Sequence, residues 1–338
     1  MKKILILAEN NADFINFAKM LHTDQQIVSD FARLSDLNYD LNGGGPKITI
    51  PAARIFATNS TSPSFTPTAG QDIDLCNYDK IIVMVFKKQL DTLSRYATLC
   101  EYCKKYNISL ADEPSITDPF SKLYQTWLLS LNGINVPDTA FGDVSFLGQK
   151  LEEYGGCGIL KPIIGSMGSN NYLVETKDRL KQIIGSEDNT NRNHYEVYLL
   201  QKYVKNALDV RIYSVNYQPK LAIVRTATTW GDGERAKFGC NLAAIPSPAQ
   251  NAAPSAITSS MSAGEVQKLL PSQAVLAEMS AEAVAACRAL GVGIGGVDLV
   301  WDEASGRAVV LEVNRTPQVV CKAFSEQKMS MLKDFFTE

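Results

Sequence analysis

Two apolar runs near the C-terminus, GGVDLVW (295–301) and RAVVLEVN (307–314), are joined by the turn-forming DEASG at 302–306. This pattern predicts a β-hairpin. Each strand carries an acid where a core residue would be expected: Asp298 in the first and Glu312 in the second, with Asn314 two residues on. Alternate side chains of a strand share a face, so Glu312 and Asn314 point the same way. A buried carboxylate needs a cation, an arginine or a metal as partner. One reading is a strand ending at a turn before Pro317, with Glu312 in a salt bridge. The other is a hard-cation site, Mg2+ above all, with Asp298, Glu312 and Asn314 as oxygen ligands and phosphates completing the shell. A second lone acid on the partner strand favours the metal.

The rest of the chain bounds the function. Its 338 residues suffice for two or three lobes with their own cores. A net charge of −3 argues against nucleic acid as a partner. No apolar run approaches the roughly 18 residues of a membrane span. The opening MKKILILAEN reads as a first strand rather than a signal peptide, because its apolar run is short and meets Glu9 at once. Seven scattered cysteines suggest a reducing, cytoplasmic compartment. Cys100 and Cys103 form a C-x-x-C inside a helical pattern with no second pair, which argues against a metal or redox role. Only His22 and His194 are present, so a histidine-based zinc site is not expected.

Strands are predicted at 3–8, 79–86 and 108–112, with helices at about 11–22 and 89–106. This βαβαβ opening implies a small parallel α/β domain. Residues 42–70, rich in Gly, Pro, Ser and Thr, read as an irregular excursion. A helix is expected over about 118–132, ending at Gly133. Two strands follow around a Gly/Ser-rich turn at 158–175, then a strand at 195–204 and a hairpin at 209–216 and 220–228. Residues 246–264 read as a low-complexity loop. A helix from Ser272 as N-cap to Gly291 precedes the C-terminal hairpin.

Three further features carry chemistry. Lys161 stands in GILKPIIGSMGS, just before Gly165, Ser166, Gly168 and Ser169, whose backbone N–H groups could meet a phosphate. An ordinary hairpin turn explains them equally well, and neither a P-loop nor a dinucleotide fingerprint is present. Arg211 and Arg225 lie inside apolar strands and need anionic partners, either a bound phosphate or Asp209 two residues before Arg211.

Taken in order, these pieces resemble the ATP-grasp superfamily, most closely its RimK-like carboxylate–amine ligases. The resemblance runs from about residue 117 to 318. TDPFSKLYQTWLLSLNGINVPDT resembles the family's lysine-bearing helix, and LKPIIGSMGS its second lysine and glycine loop. LLQKYV resembles the adenine hinge, and DVRIYSV, IVRTAT and FGCN (238–241) the arginine strands and Phe-x-x-Asn. GVDLV and LEVN resemble the metal-binding strands. The first 110 residues fit only as a generic preceding α/β domain.

The resemblance implies an α/β (α+β) ATP-grasp fold: an N-terminal α/β domain (1–115), a central lobe with the glycine loop (116–205) and a C-terminal lobe with the metal site (206–338). It implies that Lys122, Lys161 and the loop residues Gly165, Ser166, Gly168 and Ser169 hold ATP phosphates. Gln201, Lys202, Tyr203 and Val204 would read adenine, largely through backbone groups, and Asp209 would contact ribose. Arg211, Arg225 and Asn241 would face the transferred phosphate and the substrate carboxylate. Asp298, Glu312 and Asn314 would ligate two Mg2+ ions, with Mn2+ as an alternative. The implied activity is ATP-dependent amide formation through an acyl phosphate, joining an amino acid or peptide carboxylate to an amine. A peptide-modifying enzyme making side-chain amide or ester crosslinks, and a non-catalytic ATP-binding protein, are the alternatives. Homo-oligomerisation stays open. The chain departs from the family after Asn241, where NLAAIPSP replaces a His/Gly-rich segment, and at NRTPQ, where Gln318 replaces a glycine. Arg315, next to the proposed ligands, is therefore a candidate reader of a substrate carboxylate.

Overall fold

A computed structural model describes residues 2–8, 27–40, 46–52, 56–59, 62–67, 70–83, 90–111, 121–163, 171–185, 198–206, 208–227, 229–230, 236–237, 241–248, 254–257, 262–315, 317 and 323–337. The apolar run at the N-terminus forms β1 (Lys2–Leu7), whose Ile4, Leu5, Ile6 and Leu7 side chains are buried on both faces. Ile4 and Ile6 enter one core, Leu5 and Leu7 another. Such a strand must be apolar throughout, which is why it is legible in the sequence.

β1 sits between β2 (Ile27–Ala32) and β5 (Lys80–Val83) and runs parallel to both, and β5 pairs in parallel with β6 (Ser109–Leu110). An antiparallel hairpin, β3 (Phe56–Asn59) and β4 (Ser62–Pro67), extends the β2 edge. The expectation of an irregular 42–70 is therefore corrected. That stretch supplies β3, β4 and Lys47–Ile50, which pairs with Asn38–Asp40 and Ile73–Asp74 in a small separate sheet. β2 is not evident in the sequence because Ser29 and Asp30 interrupt its apolar run. Both are buried, and Asp30 accepts a 2.8 Å hydrogen bond from the Tyr78 hydroxyl. Helix α1 (Leu90–Tyr106) covers this sheet and ends at Asn107, which takes φ 55°. Cys100 and Cys103 are core residues of that helix, and burial pushes the Cys103 thiol up to about 12. The predicted helix at 11–22 lies outside the described residues.

The central sheet is antiparallel, in the order β7 (Thr139–Ala140), β10 (Tyr198–Lys202), β8 (Gly158–Pro162), β9 (Tyr172–Val174). Leu160, Leu200, Tyr172 and Val174 pack under α3 (Val144–Glu153) and α4 (Lys177–Gly185). Strand alternation sends Ile159, Lys161 and Gln201 to the opposite face. Helix α2 (Lys122–Leu131) precedes this sheet, with Ser121 as its N-cap accepting from the Tyr124 amide at 3.3 Å.

The C-terminal sheet is also antiparallel. Its order is β14 (Ala256–Ile257), β13 (Asn241–Pro246), β12 (Gln218–Thr226), β11 (Leu208–Val215), β15 (Ile294–Asp302), β16 (Arg307–Asn314). Asn216 and Tyr217, both at positive φ, make the tight turn of the predicted hairpin. The 246–264 stretch is only partly a loop: it includes β14 and the start of α5 (Ala263–Leu269), while 249–253 and 258–261 lie outside the described residues. Helix α6 (Gln273–Ala289), capped by Ser272 as predicted, covers one face through Val210, Ile212, Val224, Val297 and Val310.

The other face divides in two. Tyr213, Val215, Leu221, Ile223 and Ile294 pack against Ile4, Ile6 and Ile82 of the first sheet, and against α7 (Ser325–Thr337) through Leu332 and Phe335. The remaining part of that face carries charged side chains.

Candidate active site

Cross-strand register assembles these charges. On β11 and β15, Arg211 lies opposite Asp298, and on β15 and β16 Asp298 lies opposite Glu312 and Gly296 opposite Asn314. Asp209 lies opposite Arg225, which lies opposite Asn241. A bulge sets the hairpin: Asp298 pairs with Glu312 but Leu299 with Val310, so Leu311 is the extra residue. It lets Val310 and Val313 both enter the core while Glu312 and Asn314 face the site. A Cβ on Gly296 would meet the Pro317 ring at 2.7 Å, so only glycine lets the chain beyond Asn314 close over the strand.

Asp298 is the hub. Its Oδ1 accepts from Arg211 Nε at 2.8 Å and Arg225 Nη2 at 3.0 Å, and its Oδ2 from Arg211 Nη2 at 2.6 Å and Asn314 Nδ2 at 3.1 Å. A carboxylate offers about four lone-pair positions. All four are filled here. Burial alone would raise this carboxyl; Arg211 and Arg225 overcome it and hold the group below its ordinary value. The arginines thus take Asp298 as partner, whereas Asp209 accepts from Asn206 Nδ2 at 2.9 Å.

Lysines close the cluster from the central lobe. Lys122, at the start of α2, brings Nζ to 3.9 Å from Glu312 Oε1. Its backbone N–H donates to the Ile163 carbonyl at 2.8 Å, which ties the helix to the end of β8. Lys161 is pushed down to about 8, first by burial and further by Lys122, against the opposing pull of Glu312 and Asp298. The neighbouring Gly165, Ser166, Gly168 and Ser169 lie outside the described residues.

At the proposed hinge, the Lys202 amide donates to the Asp138 carbonyl at 2.8 Å and the Tyr203 amide to Cys157 at 3.3 Å, so these two N–H groups are engaged within the protein. Val204 follows them. Gln201 is buried; its Nε2 donates to Thr139 Oγ1 at 3.2 Å, but its Oε1 has no partner among the described residues. Arg225 Nε is a second such orphan. A buried acceptor and a buried donor left open are what a bound nucleotide with an anionic tail would satisfy. For Mg2+, two carboxylates and a carboxamide on one face are the right donors in kind. Glu312 and Asn314 fit directly, and Asp298 fits once one of its four donors lets go. Among the described residues no group of three His, Cys, Asp or Glu clusters for a metal.

Arg315 corrects an expectation. It is buried and donates through Nη2 to the Leu290 carbonyl, capping the C-terminus of α6. Gln125 is a functional neighbour that sequence reading missed: it bonds both backbone groups of Val313. Its only sequence cue is a position three residues after Lys122, on the same helix face. Among the described residues no helix is long and apolar enough to cross a membrane.

No family model matches the chain. It is 29% identical over 201 residues to a probable alpha-L-glutamate ligase of Parasynechococcus marenigrum, covering 58% of this chain and 36% of that protein. The chain thus spans about a third of that relative. A probable alpha-L-glutamate ligase of Sodalis glossinidius is 26% identical over 301 residues, covering 87% and 88% of the two chains. Among solved structures, a RimK domain ATP-grasp protein from Sphaerobacter thermophilus superimposes with a TM-score of 0.59 at 15% identity over 98% of both chains. The ATP-grasp ligase PsnB, complexed with minimal precursor, Mg and ADP, gives 0.56 at 14% identity over 99% and 98%. The fold is that of the ATP-grasp ligases, as the motif resemblance implied.

Proposed function

We propose that this chain is an ATP-dependent carboxylate–amine ligase that forms an amide bond and releases ADP and phosphate. The observation that carries the reading is the charge count of the cluster. Among the described residues, Lys122, Lys161, Arg211 and Arg225 gather around Asp298 and Glu312, with Asp209 opposite Arg225. Among these described groups four cations meet three carboxylates, one negative charge short, and Arg225 Nε has no partner among the described residues. A polyphosphate and a substrate carboxylate would supply the missing charge.

In this reading Lys122 and Lys161 hold the ATP phosphates, and their approach returns Lys161 to full protonation. Gln201 to Val204 receive the adenine, with Gln201 Oε1 as an acceptor for its amino group, and Asp209 receives the ribose. Arg211, Arg225 and Asn241 orient the substrate carboxylate toward the γ-phosphate. Asp298 fixes the planes of both guanidiniums, so their donors need little reorganisation as charge moves. Asp298, Glu312 and Asn314 would hold Mg2+ or Mn2+. Bound Mg2+ would neutralise phosphate oxygens and polarise the transferred group. The carboxylate takes the phosphoryl group to give an acyl phosphate and ADP; the amine then attacks the acyl carbon and phosphate leaves. No histidine is needed.

The three larger sheets support the division into lobes at 1–115, 116–205 and 206–338, with α7 returning to cover the first sheet. The relatives named as glutamate ligases favour an amino-acid substrate. A peptide substrate is the second reading. It is favoured by a cleft of about 950 Å³ beside α2, lined by Tyr124, Trp127, Phe141, Phe146 and Tyr154.

Glu312→Ala tests the assignment. Its loss should abolish ADP release while thermal unfolding stays cooperative, because Glu312 faces the site and not the core. Near-normal turnover in that variant would contradict it.

A further inference from the structure

β16 is the edge strand of the C-terminal sheet, so the outward N–H and C=O groups of its backbone need partners from elsewhere. Three elements provide them. The Ala308 amide donates to Glu278 Oε1 at 3.1 Å and its carbonyl accepts from Asn135 Nδ2 at 2.7 Å. The Val310 amide donates to the Asn135 carbonyl at 2.8 Å. At Val313 the partner is one side chain: Gln125 Nε2 donates to the Val313 carbonyl at 2.8 Å, and the Val313 amide donates to Gln125 Oε1 at 2.9 Å.

This two-point bond imitates one rung of a β-ladder, and it falls on the residue between Glu312 and Asn314. The same helix is held at Lys122, three residues earlier, by the carbonyl of Ile163 next to β8. The first turn of α2 therefore clamps two strands together. Its first turn holds both: the Lys122 amide is tied to the end of the Lys161 strand, and Gln125, one turn on, to the backbone that aims Glu312 and Asn314.

We propose that Gln125 is a positioning residue for the cation site. It acts through the Val313 backbone, setting where Glu312 and Asn314 stand relative to Lys122 and Lys161. The inference rests on the ligand assignment proposed above. Groups that orient metal ligands from behind typically contribute 10–100-fold to metal affinity or activity.

The test is Mn2+ affinity of the full chain in the presence of a non-hydrolysable ATP analogue, read from the paramagnetic signal of free Mn2+. Gln125→Met keeps the helix and the volume and removes both bonds. It should weaken Mn2+ binding by about tenfold and speed hydrogen exchange at the Val313 amide. Asn135→Ala is the control: it removes a side-chain bond to the same strand edge at Ala308, away from the ligands. It should lower the melting temperature and leave Mn2+ affinity unchanged. If Gln125→Met is too unstable to purify, Gln125→Asn, one methylene short of Val313, should show the same weakening. Mn2+ affinity unchanged in the Gln125 variant, or lowered equally in Asn135→Ala, would reduce Gln125 to a stabilising contact. Failure of the wild-type chain to bind Mn2+ would instead overturn the ligand assignment itself, and this inference with it.

Discussion

Arg211 and Asp298 face each other across adjacent antiparallel strands and are joined by two parallel hydrogen bonds, Nε to Oδ1 at 2.8 Å and Nη2 to Oδ2 at 2.6 Å. The geometry is bidentate, and both side chains are mostly shielded from solvent, with 20% and 16% of their surface exposed. A pair so placed fixes direction as well as charge. Because Arg225 and Asn314 bond the same carboxylate, Asp298 sets the relation among four strands, from β12 through β11 and β15 to β16.

Asp298→Asn should therefore damage stability as well as turnover. Two guanidiniums would lose their counter-charge in a largely buried place, at a cost of about 2–3 kcal/mol, reduced from the fully buried case by the remaining solvent contact. The pH dependence has a definite sign. The native carboxyl is held below its ordinary value, so its contribution is present at neutral pH and lost as pH falls through the native value. Denaturant unfolding at pH 7 and at pH 3 should show a large difference between variant and wild type at pH 7 and a smaller one at pH 3. An equal difference at both would mean that the charge of Asp298 is not what stabilises the cluster.

Lys161→Met should separate stability from binding. Burial pushes the lysine down from 10.5 to about 8, so at neutral pH the protein carries a charge that its surroundings disfavour. That cost is full below pH 8 and fades as pH rises toward 10.5. The variant should be more stable than the ligand-free wild type at pH 7, by on the order of 1 kcal/mol, and the gap should narrow by pH 10. Calorimetric titration should show that ATP no longer binds. A variant that unfolds more easily yet binds ATP normally would reverse both parts.

Arg315→Met should cost stability alone. The guanidinium caps α6 at Leu290 and is buried. Its loss should lower the unfolding free energy by about 1–2 kcal/mol. Turnover per folded molecule should be unchanged, with the KM for every substrate within twofold of wild type. A selective rise in the KM for the carboxylate substrate would restore Arg315 to the site.

The hairpin that bears Asp298, Glu312 and Asn314 was legible because lone polar residues in apolar strands have few explanations, and the i, i+2 spacing fixes their shared face. Lys161 and the two arginines were legible for the same reason. Their partners were not. Asp209 is the nearer acid to Arg211 in sequence, but register places Asp298 directly across from it, 87 residues away. Arg315 followed the ligand strand so closely that a site role looked natural; only the packing of α6 shows that it turns back into the core. Gln125 reaches a strand 188 residues later, and local patterning carries no trace of that. β2 escaped notice because its buried Ser29 and Asp30 break the apolar run. Asp30 is held by Tyr78, a contact that exists only once the sheet has formed.

ATP-driven ligation leaves a definite set of products, and their analysis is the decisive experiment. The chain would be incubated with Mg-ATP and pooled amino acids, dipeptides or a short acidic peptide. ADP, AMP and phosphate would be counted and new products weighed by mass spectrometry. ADP and phosphate are expected in equal amounts, dependent on one pool and lost in Glu312→Ala, with a product heavier than the acid by the amine less one water. Release of AMP and pyrophosphate, or ADP release that persists in Glu312→Ala, would contradict the ligase reading.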